Sequence, residues 1–221
     1  MDTGHRIGGQ GDMIARFLSP ESKVKDMASI SETVIRDLLM TSAEVKTMTA
    51  DQCSAATLRA AEMIAESLTD GGKLMFCGNG GSAGDSQHLA AEFVATLDHR
   101  RPRHGLAALA LTTDTSFLTA YANDFGFEGV FARQVETLGR PGDVLVAIST
   151  SGNSGNVVKA CEAARQNDIR IVGMTGEGGG KIADQADLLL AVPSTVTMHI
   201  QESHIALGHA MTLAVERLLD V

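Results

Sequence analysis

Five short apolar runs constrain this chain more than any other feature: "KLMFC" (73–77), "LAALAL" (106–111), "DVLVAIS" (143–149), "IRIVGM" (169–174) and "DLLLAV" (187–192). Between and after them lie segments of helical periodicity, at about 81–97, 115–121, 127–138, 153–167 and 197–219. A strand buried on both faces reads as an unbroken apolar stretch, and parallel neighbours need a crossover helix between them. The pattern therefore predicts an α/β fold, a doubly wound five-stranded parallel sheet flanked by helices. No second globular domain is indicated, so residues 27–221 are expected to form one domain.

Upstream of the first run, Ile30, Val34, Leu38, Leu58, Ala61, Met63, Ile64 and Leu68 recur at helical spacing. An interruption at "TMTADQ", where Thr49 or Asp51 could cap a new helix, predicts two long helices rather than one. Amphipathic helices at a chain terminus usually bury their apolar face on a second copy, so a homo-oligomer is expected. Residues 1–26 are glycine-rich and weakly patterned, which predicts a mobile extension.

Eighteen basic against 27 acidic residues leave a net charge of −9, which opposes polyanionic partners such as nucleic acid or an anionic membrane. Aromatics make up 4% of the chain and tryptophan is absent, so no basic-aromatic surface can stack bases. Cys53, Cys77 and Cys161 are odd in number and widely spaced, unlike a disulfide framework or a zinc ribbon. With no apolar leader segment and no run of transmembrane length, a soluble cytoplasmic protein acting on small molecules is expected.

Two strand-to-helix loops carry the chemistry of the sheet's carboxyl edge: "GNGGS" (78–82) and "STSGNS" (149–154). Glycine lets backbone amides approach a ligand there, and a following helix N-terminus favours an anion. Neither loop has the lysine of a nucleotide-gripping P-loop. What they offer is neutral donors, the hydroxyls of Ser82, Ser149, Thr150, Ser151 and Ser154 and the amides near Gly80 and Gly81, which suit one phosphate monoester. Each loop alone is equally a tight turn with serine caps; the two together favour phosphate.

His88 and Glu92 stand four apart on one helical face, with Leu89, Phe93 and Leu97 on the packed side. That spacing alone describes a surface ion pair worth about 0.2–0.5 kcal/mol. The last helix carries "HIQESHIALGHA" (199–210). A solvated face accounts for Glu202 and His199 but not for His209, which sits among small apolar residues.

"CGNGGSAGDSQHLAAEF", "ALTTDTSFLTAYANDFGFEGVFARQVETLGRPGDVLVAISTSGNS" and "IQESHIALGH" resemble the phosphoheptose isomerases, a family of sugar-isomerase (SIS) domains. The resemblance runs from about residue 27 to the C-terminus. It implies conversion of sedoheptulose 7-phosphate to D-glycero-D-manno-heptose 7-phosphate in heptose biosynthesis, with Glu92 and His209 as the acid/base pair. It also implies that Ser82, Ser149, Thr150, Ser151 and Ser154 hold the phosphate and that Asn79, Gly80, Gly81, Asn123 and Asp124 line the sugar. Zinc would fall on His88, Glu92, Gln201 and His209, with Gln201 and Glu92 also facing substrate, and the assembly would be a homotetramer. The Gln201–His209 pairing comes from the family alone, since eight residues set them about 80° apart around a helix axis.

Two departures from the family pattern stand out. Thr96 stands where many members have arginine four residues after the catalytic glutamate, and Met198 and His199 replace an Asp-Arg pair found in some relatives. Two other functions use the same loops. One is a non-catalytic regulator resembling the SIS protein that associates with the bacterial replication initiator, which lacks the glutamate and final histidine; the other is a sugar-phosphate sensor that binds without turnover.

Overall fold

The computed structural model describes residues 31–221. The expected extension at residues 1–26 and the start of the helical segment lie outside them. The chain divides into two compact units at Thr41/Ser42. Of the first unit, the described part is the opening of helix α1 (Glu32–Thr69), where Val34, Ile35, Leu38 and Leu39 are exposed.

α1 runs for 38 residues without a break, so the interruption expected at "TMTADQ" is absent. The reason is local. Thr49 caps nothing; its hydroxyl donates 2.8 Å back to the carbonyl of Val45, and Thr47 and Thr57 do the same to Ala43 and Cys53. Threonines satisfied within the preceding turn can continue a helix that sequence reads as stopping.

In the second unit, five parallel strands follow: β1 (Leu74–Gly78), β2 (Ala108–Ala110), β3 (Val144–Ile148), β4 (Arg170–Thr175) and β5 (Leu188–Ala191), ordered β2-β1-β3-β4-β5. The connecting helices are α2 (Gly81–Val94), α3 (Thr115–Phe125), α4 (Val130–Leu138), α5 (Gly155–Gln166), the single turn α6 (Gly180–Ala183) and α7 (Thr197–Leu218). All five apolar runs are strands, each within two residues of its expected bounds.

Alternation along each strand divides the core into two layers. Phe76, Val144, Val146 and Met174 pack on one face of the sheet with Leu89 and Phe93 of α2, Met211 and Val215 of α7, and Ile64 of α1. Met75, Cys77, Leu145 and Ile171 pack on the other with Val135 of α4 and Val157 and Cys161 of α5. Every residue of β1 and β3 is buried, as a sheet covered on both sides requires. Among the described residues no helix is long and apolar enough to cross a membrane.

The strand order reverses direction between β1 and β3, where Gly78 pairs with Ile148 at the carboxyl ends. Chains leaving these two strands diverge to opposite faces, α2 to one and α5 to the other, as at the switch point of an open α/β sheet. Both glycine and serine loops lie at this point.

Candidate active site

In the first loop, Gly80 adopts φ +56°, a left-handed conformation that a side chain would strain, and this turns the chain sharply from β1 into α2. No side chain caps α2. In the second loop, the Ser154 hydroxyl does not cap its own helix, α5, but lies 2.9 Å from Ser149 Oγ, which is itself 3.5 Å from Ser151 Oγ. Three hydroxyls thus converge on one another at a helix N-terminus, an arrangement suited to an oxyanion with several acceptor oxygens. Gly152 (φ +64°) lets this loop lie against the backbone of Gly179 and Gly180.

The two loops are tied by an interaction the sequence did not reveal. Asn79 and Asn156 exchange reciprocal amide hydrogen bonds, 2.8 Å from Asn79 Nδ2 to Asn156 Oδ1 and 2.9 Å in return. Nothing local marks Asn156, whose partner lies 77 positions away.

α2 and α7 pack on the same face of the sheet and meet at three successive levels. At the first, the Gln201 side chain lies directly over Gly81, where any Cβ would collide with its amide. At the second, Glu92 Oε1 is 3.1 Å from His88 Nε2 and 3.4 Å from His209 Nε2, and the two imidazole nitrogens are 3.0 Å apart. Gly208 allows this approach, because a Cβ there would stand 2.5 Å from Leu89 Cδ2. At the third, Glu216 Oε1 accepts from Leu97 N, just past the end of α2, and from Arg103 Nε.

The central cluster fits a bound metal. Donor atoms of His88, Glu92 and His209 all lie within 4.8 Å of one another. Glu92 Oε2 and Asp85 Oδ2 are buried without a hydrogen-bond partner among the described residues. Two imidazoles and a carboxylate are the donors preferred by a borderline-soft divalent cation such as zinc. Burial raises the Asp85 carboxyl above the ordinary range, while the nearby Gln201 amide and the neighbouring His88 and His209 draw it part of the way down.

Of the residues singled out in the sequence, His88, Glu92 and His209 meet directly, Gln201 lies against the first turn of the same helix, and the hydroxyls of Ser149, Ser151 and Ser154 group together at the start of α5. Ser82 is buried in the first turn of α2, and Thr150 is partly buried, its carbonyl accepting from Gly176 N. Asn123 and Asp124 lie on the exposed final turn of α3, where the Asn123 amide donates 2.8 Å to its neighbour's carboxylate. His199, expected on a solvated face, is 4% exposed. α7 turns this face toward the interior, and Glu202, one turn on, takes hydrogen bonds from Ser42 and Lys46 of α1. Thr96 takes no part in the cluster; its hydroxyl donates 3.3 Å to the carbonyls of Asp98 and Arg101 and closes the loop after α2.

A sheet of this order, with two phosphate-type loops at its switch point and a carboxylate and an imidazole facing each other between two helices, defines a SIS domain, and the SIS domain model matches residues 40–176. The phosphoheptose isomerase of Rhodospirillum rubrum is 53% identical over 189 residues, covering 85% of this chain and 98% of its own. That of Roseiflexus sp. (strain RS-1) is 52% identical over 183 residues, 83% and 92% of the two chains. Among solved structures, a phosphoheptose isomerase from Neisseria gonorrhoeae superposes with a TM-score of 0.79 at 46% identity, covering 84% of this chain and 98% of that one. The chain belongs to the phosphoheptose isomerase family, and so to the isomerases.

Proposed function

We propose that the protein converts sedoheptulose 7-phosphate to D-glycero-D-manno-heptose 7-phosphate through an enediol, as a step in heptose biosynthesis in the cytoplasm. The observation that carries this reading is the 3.4 Å approach of His209 Nε2 to Glu92 Oε1, two groups from helices far apart in sequence.

Moving a carbonyl from C2 to C1 requires a base that removes a proton from C1 and returns it to C2, and a second group that carries a proton between O1 and O2. Glu92 takes the first role. Its Oε1 faces both imidazoles, and its Oε2 is buried with no hydrogen-bond partner among the described residues, so the carboxylate is not tied up by a competing donor. His209, partly exposed, takes the second, giving a proton to O2 as it accepts one from O1. No atom is gained or lost, and both groups end in their starting protonation states. The hydroxyls of Ser149, Ser151, Ser154, Thr150 and Ser82 and the amides after Gly80 hold the phosphate, with Asn79, Gly81, Asn123, Asp124 and Gln201 along the sugar.

His88, Glu92, Gln201 and His209 would hold zinc. When bound, the metal supplies a Lewis acid that polarises the carbonyl and stabilises the oxyanion. The protein works as a homotetramer, with the exposed apolar residues of α1, among them Met48 and Leu58, in its contacts.

Incubation with sedoheptulose 7-phosphate, followed by NMR, tests the reading: the aldose signal should grow at the expense of the ketose. Binding of the ketose without any aldose would identify a sensor instead. Parallel assays on shorter ketose phosphates address the substrate, because Thr96 and Met198 depart from the family pattern.

A further inference from the structure

The third contact level between α2 and α7 has no direct part in the chemistry, and it is built at considerable cost. Arg103 comes from the segment between α2 and β2, and its side chain is only 2% exposed. One guanidinium nitrogen, Nη2, donates 2.9 Å to the carbonyl of Glu92 itself. Another, Nη1, donates 2.9 Å to the carbonyl of Phe93 and 3.0 Å to that of His104. The third, Nε, donates 2.8 Å to Glu216 Oε1, which also accepts from Leu97 N at 3.2 Å.

Helices end with carbonyls that have no partner in the helix, and α2 ends at Val94, so the carbonyls of Glu92 and Phe93 fall among them. A buried guanidinium answers the carbonyl of Glu92, shares that of Phe93 with Leu106 N, and adds positive charge where the helix dipole is negative. A buried ion pair adds little net stability over a well-packed apolar pair, since both charges must be desolvated. Its geometry, by contrast, is restrictive: a planar fork with fixed donor directions is satisfied only when the end of α2, Arg103 and Glu216 keep one relative position. Glu216 lies two turns beyond His209 on α7, and Arg103 holds the backbone carbonyl of Glu92.

We infer that Arg103 and Glu216 are positioning residues that set the axial register of α2 against α7, and with it the separation of Glu92 from His209. Their consequence for turnover rests on the proton-transfer reading above; their effect on the two imidazoles does not.

The test uses the full chain with Arg103→Lys, which keeps the charge but cannot hold Glu216 and two carbonyls together, and Glu216→Gln, which keeps the shape but leaves the guanidinium without its counter-charge. In either folded variant kcat should fall about ten- to a hundredfold, the effect expected of a small misplacement of reacting groups, while KM for sedoheptulose 7-phosphate stays within about twofold because the phosphate loops are not moved. The ring ¹⁵N resonances of His88 and His209, assigned with His88→Gln and His209→Gln, should shift in the same variants. Should one substitution prevent folding, the other carries the test. Wild-type kcat with unshifted ring resonances in a folded variant overturns the inference, and so does a rise in KM with kcat unchanged. If the wild type isomerises no heptose phosphate, the functional reading fails and the ring resonances alone decide the positioning role.

Discussion

The Nε2 atoms of His88 and His209 lie 3.0 Å apart although 121 positions separate them in sequence, and both face the same carboxylate oxygen of Glu92. Two imidazoles at this distance cannot both carry a proton on the facing nitrogens without repulsion. Either one donates to the other or both turn lone pairs toward a shared cation.

The second arrangement predicts metal retention. Purified wild-type protein should hold zinc through dialysis, and His88→Gln should weaken that affinity at least about 10- to 100-fold, the range already seen when only the outer partners of ligands are removed. Titration calorimetry with zinc gives the measurement. Equal affinities in the two proteins would remove His88 from the ligand set.

Gln201 is not paired with His209 by helical spacing. Its packing over Gly81 supplies a test. Gly81→Ala should push the flexible amide aside without disturbing the core, leaving the thermal midpoint nearly unchanged while turnover falls about tenfold or more. Unaltered turnover would show that the position of Gln201 does not matter to the reaction.

Gly208→Ala acts on the central approach of the helices. The added methyl group meets Leu89, which is fully buried between α2 and the sheet. Overpacking of this kind costs about 1–3 kcal/mol and should force α7 outward, so both stability in urea and turnover should drop. Loss of stability with full turnover would mean that the core absorbs the methyl group without moving His209.

His204 gives the fold a dependence on pH. It is fully buried on α7, its Nε2 lies 3.0 Å from the carbonyl of Thr175, and burial pushes its pKa down to about 4 from an ordinary 6.5. The unfolded chain therefore binds a proton between these values that the folded chain refuses. The stability associated with the neutral ring is complete above about pH 6.5 and is lost progressively as pH falls toward about 4, by on the order of 3 kcal/mol. His204→Gln should flatten this part of the curve in urea denaturation series, since an amide can still donate to Thr175. Parallel curves for the two proteins would contradict the assignment.

The sheet could be read from the sequence because each strand is buried on two faces and so is written as a continuous apolar run, a local signal. The glycine and serine loops are legible for the same reason: glycine and hydroxyl residues sit next to one another in the chain. His88 and Glu92 are local too, one turn apart. His209 was not paired with them by any period, and only likeness to known sequences joined the two helices. Asn156, Arg103 and Glu216 escaped notice because each answers a partner from 77 to 113 positions away, which leaves no trace in spacing. The false break at Thr49 came from treating a threonine as a cap when its hydroxyl had a nearer acceptor in its own helix.

Turnover of sedoheptulose 7-phosphate by Glu92→Gln, compared with wild type and checked for an unchanged fold by circular dichroism, bears most directly on the whole account. Glutamine keeps the shape of the side chain and removes its ability to accept the carbon-bound proton, so kcat should fall by about two to four orders of magnitude. A folded Glu92→Gln protein turning over at the wild-type rate would contradict it.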